Sequence, residues 1–258
     1  MLEILIAGLN APEPIATLAP SLRGTSSCLH LVPSYERALG IADAIRPDLV
    51  VMHLPEAPVG PSAELCDRLG SAARKGLIGL ALEGTAAPFP VGHGRAVSLT
   101  ELASIVKDLA TNHPESPTDD WQASSPDSYH QRSSVFVCGP SLPLDKLAES
   151  LQALEPQSSL PQLLARAAEA LRSSFGLESV AIQLDSPKVE ARAPSDTSLP
   201  RQWSQVMELA VAAGTIVIQH QETGASVLVS PLSAAGGAVA LITPEADRLS
   251  GASLPALR

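Results

Sequence analysis

Residues 46–69 read RPDLVVMHLPEAPVGPSAELCDRL, and the fold is decided there. After Asp48, LVVMHL is an apolar run whose single polar residue, His53, lies near its end. A strand with one wet face would alternate apolar and polar side chains; a continuous run predicts a strand covered on both faces, as in a parallel sheet. The prolines and the glycine that follow break the run, and SAELCDRLGSAARK (residues 62–75) resumes with a helical pattern.

The same unit recurs on either side. LEILIAG (2–8), CLHLV (28–32), GLIGLALEG (76–84) and a brief RAV (95–97) are further strand candidates. Between and after them lie PIATLAPSL (14–22), SYERALGIADAI (34–45) and LTELASIVKDLAT (99–111), which read as helices. Strand and helix in alternation predict right-handed crossovers and a doubly wound, parallel, five-stranded α/β domain over residues 1–110.

Residues 111–134, TNHPESPTDDWQASSPDSYHQRSS, differ from the rest of the chain. They are rich in Ser, Pro and Asp and have no apolar period, the composition of a flexible linker. Beyond them, residues 135–258 open with VFVCG and a helical stretch from Leu142 to Leu154. A second helix follows in SSLPQLLARAAEALRSSF, with Ser159 placed to cap it and Pro161 in its first turn. Leu163, Ala167, Leu171 and Phe175 recur at a spacing of four and form an apolar stripe. SVAIQLD, KVEARA, TIVIQH, SVLVSPL and GAVALIT read as strands, with a helix from about Arg201 to Ala213. This half is expected to be an α+β domain.

Composition narrows the function. Of 258 residues, 45% are hydrophobic and 17% charged, and the net charge is −10, with no basic run to neutralise a phosphate backbone. A nucleic-acid binder is therefore not expected. The three cysteines, Cys28, Cys66 and Cys138, are odd in number and set among apolar residues, as reduced and mostly buried thiols would be. No basic leader or apolar run of about 18 residues is present, so neither secretion nor membrane insertion is expected. A cytoplasmic protein is the reading.

Residues 46–69 resemble the central segment of response-regulator receiver domains, where Arg-Pro-Asp leads into the third strand and a Pro and a Gly precede a helix with Glu-Leu-Cys. That family accepts a phosphoryl group on an aspartate at the end of the third strand, beside an acidic pair that holds Mg²⁺ after the first. The position of the nucleophile here is His53, and Ala7, Gly8 and Leu9 stand where the acids belong. Ala81 and Leu82 occupy the hydroxyl position, and the lysine before the last helix is missing from RAVSLTEL. The resemblance implies a pseudo-receiver. His53 is expected to be a strand-end residue held by a hydrogen bond, rather than a phosphoacceptor. The loop around TAAPFPVGHGR implies a fourth helix that is shortened or absent.

From Ser159 onward the chain is similar to GAF domains, in LLARAAEALRSSFGLESVAIQLD, AVAAGTIVI and SVLVSPLSAAGGAVALI. That resemblance implies a ligand pocket with His220 and Ser230 as its polar candidates, although a lone histidine at a strand end reads first as exposed. Its closing helix has little sequence left in TPEADRLSGASLPALR, so the stripe of Leu163, Ala167, Leu171 and Phe175 is expected to meet a second copy or a partner.

Taken together, the sequence implies a bacterial signalling or scaffold protein, not an enzyme, working through protein contacts of its two domains. It calls for no cofactor, metal or catalytic residue. A small-molecule sensor using the GAF-like pocket is the first alternative. An enzyme with a site between the domains is the weaker one.

Overall fold

The computed structural model describes residues 1–9, 12–25, 27–54, 61–81, 95–111, 159–185, 188–196, 203–222, 224–232 and 237–243. The expected linker after Thr111, VFVCG, the Leu142–Leu154 helix, the TAAPFPVGHGR loop before Arg95 and the closing segment after Thr243 lie outside the described residues. Two compact units emerge, and they are not the two halves of the sequence: residues 1–114 group with 202–222, and residues 115–201 with 223–258.

The first unit is a parallel sheet. Its strands are β1 (Leu2–Ala7), β2 (Ser27–Val32), β3 (Leu49–Leu54), β4 (Leu77–Ala81), β5 (Arg95–Ser98) and β8 (Ile216–His220). Their order is β5-β4-β3-β1-β2-β8, with every neighbouring pair parallel. The first five expected strands are all present, in the doubly wound order whose winding reverses between β1 and β3. The helices are α1 (Ala19–Leu22), entered through a 3₁₀ stretch Glu13–Leu18, then α2 (Tyr35–Ile45), α3 (Ala63–Ala72), α4 (Leu99–Thr111) and α6 (Trp203–Ala213).

Both faces of this sheet are covered, which explains the continuous apolar runs. On one face Leu5, Ala7, Val32, Val50 and Met52 pack against Ala38 and Ala42 of α2 and Cys66, Leu69 and Ala72 of α3. Ser34 and Ser62 start those two helices by accepting hydrogen bonds from the Arg37 and Leu65 amides. Cys28 and Cys66 are buried, as expected; Cys138 lies outside the described residues.

The sixth strand departs from the expected plan. TIVIQH and the helix before it, read from sequence as part of residues 135–258, belong to the first unit. The pairing explains why. All six residues of β2 are buried, so β2 cannot be a solvent edge, and β8 covers it with Cys28 opposite Ile216 and His30 opposite Ile218. The Ser27 and Thr215 hydroxyls, both buried, bond each other at 2.8 Å across this seam.

The second unit contains α5 (Leu160–Phe175), β6 (Ser179–Asp185), β7 (Lys188–Ala193), β9 (Ser226–Pro231) and β10 (Gly237–Thr243). Its strands are antiparallel in the order β9-β10-β6-β7. Helix α5 begins at the expected Ser159, in a capping box with Gln162, and ends at the left-handed Gly176. It packs on β6 and β7. Among the described residues, no helix is long and apolar enough to cross a membrane.

Candidate functional site

Ligands of doubly wound sheets bind beyond the carboxyl ends of the strands, where the winding reverses. Here that place is the end of β1 and β3, and the chain's own side chains occupy it. The His53 Nδ1–H donates to the Gly8 carbonyl at 3.1 Å, so the hydrogen-bonding role expected of His53 is the one it has. The Tyr35 hydroxyl, from the first turn of α2, donates to the His53 carbonyl. Gly8 adopts φ +85°, and a Cβ on it would sit 2.8 Å from Tyr35 Cε1. The tyrosine ring therefore presses on bare backbone. Burial first, then the electrostatic influence of Cys66 and Glu36, raises the Tyr35 pKa, which keeps the hydroxyl protonated as a donor. Among the described residues no carboxylate stands at the end of β1, and position 53 is a histidine.

A second polar group is buried inside the same unit. Glu3 faces Cys28 across the β1–β2 pairing, and His30 follows on the same face of β2 two residues later. His30 Nε2 lies 2.9 Å from Glu3 Oε2 and 3.6 Å from Cys28 Sγ. Its Nδ1 lies 3.3 Å from Nε2 of His220, at the end of β8, and the two rings stack with centroids 5.6 Å apart. His30 and His220 are buried, and the Glu3 side chain is 12% exposed. Burial, then the neighbouring His30 and Arg37, holds the His220 pKa well below the usual histidine value, so His220 is neutral. The donor atoms of Glu3, Cys28 and His30 all lie within 4.8 Å of one another.

His220 is thus no exposed strand-end residue. It sits in the first unit, and Ser230, its expected companion in a GAF-like pocket, is buried on β9 of the second. Leu163, Ala167, Leu171 and Phe175 are half-buried on α5, whose only fully buried residue is Ala168. Between α5 and β7 runs an open groove of about 380 Å³, lined by Pro161, Ala165, Glu190, Ala191, Arg192 and Ser195. Its two charged side chains bond each other, Arg192 Nε to Glu190 Oε1 at 2.5 Å.

Sequence reasoning missed the Glu3–Cys28–His30–His220 group and the part played by Tyr35. The available signal was a polar residue inside an otherwise apolar buried run, Glu3 in LEILIA and His30 in SCLHLV, since a buried polar side chain requires a partner. No family model and no curated protein matches the chain.

Proposed function

We propose that this protein works by contact, as a signalling or scaffold component whose receiver-like first unit carries out no phosphoryl chemistry. The observation that carries the reading is the closed end of β1 and β3, where Tyr35 and His53 occupy the place of a reacting group and bond to each other and to Gly8. The strand order of β1 to β5 supports the receiver-like description. The GAF-like description of the later residues has narrower support, since α6 and β8 group with the first unit and leave four antiparallel strands and α5. Among the described residues no acid, base and nucleophile are brought together at the closed end, which favours a role for the surface of this unit over chemistry. The cytoplasm, where both buried thiols would stay reduced, is the setting that goes with this reading.

The half-buried stripe on α5 is the contact surface of this proposal, for a second copy or a partner of the same pathway. Sedimentation of the full 258-residue chain tests it. The expected result is an associated species, alone or with a co-purified protein, that Leu163→Glu or Leu171→Glu dissociates while circular dichroism stays native. A monomer at tens of micromolar that purifies alone, or an assembly unchanged by both substitutions, would remove α5 from the account.

A further inference from the structure

We propose that Glu3, Cys28 and His30 form a binding site for one divalent transition-metal ion of the zinc class, with His220 holding His30 in place. The three side chains supply a carboxylate oxygen, a thiolate sulfur and an imidazole nitrogen, the donors that zinc takes. They are held on a rigid frame. Glu3 and Cys28 are opposed in a parallel pair of interior strands, and His30 shares their face. The Glu3 amide donates to Asp48 Oδ2 at 2.9 Å and its carbonyl accepts from the Asp48 amide at 2.8 Å, which fixes the backbone at that ligand.

The spacing suits tetrahedral coordination. Metal–sulfur and metal–nitrogen bonds of about 2.3 and 2.05 Å at a tetrahedral angle separate the two donors by about 3.6 Å, and Cys28 Sγ and His30 Nε2 are 3.6 Å apart. The corresponding nitrogen–oxygen separation is about 3.3 Å, against 2.9 Å between His30 Nε2 and Glu3 Oε2. Glu3 therefore has to withdraw by a few tenths of an ångström, and it is the ligand with solvent beside it. Thiolate and carboxylate together carry the charge that neutralises a divalent ion, so the occupied site adds no net charge to the interior. Three protein ligands leave a fourth position for water, on the Glu3 side.

His220 completes the arrangement. A histidine that ligates through one ring nitrogen is oriented by a hydrogen bond at the other, and His30 Nδ1 has His220 Nε2 at 3.3 Å. On binding, the Cys28 S–H bond breaks, its proton leaves to buffer and a sulfur–metal bond forms. The His30 proton that faces Glu3 on Nε2 is replaced by one on Nδ1, which donates to His220 Nε2, and the proton of His220 moves to its own Nδ1.

The test uses the full chain without an affinity tag, stripped with a chelator and titrated with Zn²⁺ by calorimetry and with Co²⁺ by absorbance. One equivalent should bind, with a thiolate-to-cobalt charge-transfer band. At a hundredfold excess over the dissociation constant, the ratio of folded to unfolded chain should rise about 100-fold, seen as a higher Tm. Cys28→Ser should abolish the band, and the near-isosteric Glu3→Gln should weaken binding without unfolding the chain. His220→Gln should keep one equivalent and weaken affinity about 10–100-fold. Failure of the wild type to bind either ion would overturn the proposal. So would one-equivalent binding that survives both Cys28→Ser and Glu3→Gln, which would place the ion elsewhere.

Discussion

Replacing Gly8 by alanine probes the closed end of β1 and β3 directly. Two costs add. Backbone at φ +85° is strained for any residue with a Cβ, by about 1–2 kcal/mol. The new methyl would also lie 2.8 Å from Tyr35 Cε1, inside van der Waals contact, so the ring has to move. Moving it forfeits the hydroxyl's hydrogen bond to the His53 carbonyl, about 1 kcal/mol net. Gly8→Ala should therefore destabilise the first unit by about 2–3 kcal/mol. In urea, with a slope of about 2 kcal/mol/M, the midpoint falls by roughly 1 M. The same substitution in a Tyr35→Ala background meets no ring and should cost only the backbone strain, so the two changes couple by about 1 kcal/mol. A midpoint within experimental error of wild type would show that neither the backbone at Gly8 nor the Tyr35 ring resists a Cβ there. Equal costs in the two backgrounds would show that the tyrosine ring does not fill this place.

Two further outcomes follow from the buried polar contacts. His220 is neutral in the folded chain, packed by His30, Arg37 and, through His30, Glu3; its folded pKa lies below the unfolded value of about 6.5. Its contribution is thus fully present above pH 6.5 and is lost as pH falls, because the unfolded chain gains a proton that the folded chain refuses. Stability should drop by up to about 1.4 kcal/mol per pH unit below 6.5 relative to His220→Gln, measured by denaturant melts across pH; parallel pH profiles would contradict this. Thr215→Val removes the Ser27–Thr215 bond between β2 and β8 and should cost about 1–2 kcal/mol; a neutral effect would mean that this seam does not hold β8 in place.

Much of the fold was legible because burial on both faces leaves a mark in sequence. LEILIA, SCLHLV and LVVMHL are largely apolar runs without polar alternation, and each is a strand within a residue of its expected limits. Helix starts were legible for a local reason too, as at Ser159, whose capping contacts span three residues. The destination of β8 was not. Ile216–His220 satisfies a parallel sheet and a GAF-like domain equally as a pattern, and only the need to cover β2 decides between them. The polar group was hidden in the same way: Glu3, Cys28, His30 and His220 come from three strands spread along the chain, and only strand register brings their side chains together. Tyr35 lay at a helix start, where nothing in the sequence says that its ring meets Gly8.

Whether the first unit accepts a phosphoryl group is read out by intact-mass analysis after incubation with acetyl phosphate and Mg²⁺. An unchanged mass is expected, because His53 is bonded to Gly8 and, among the described residues, no carboxylate stands at position 53 or at the end of β1. One stably added phosphoryl group within residues 1–110, lost on His53→Ala, would contradict it.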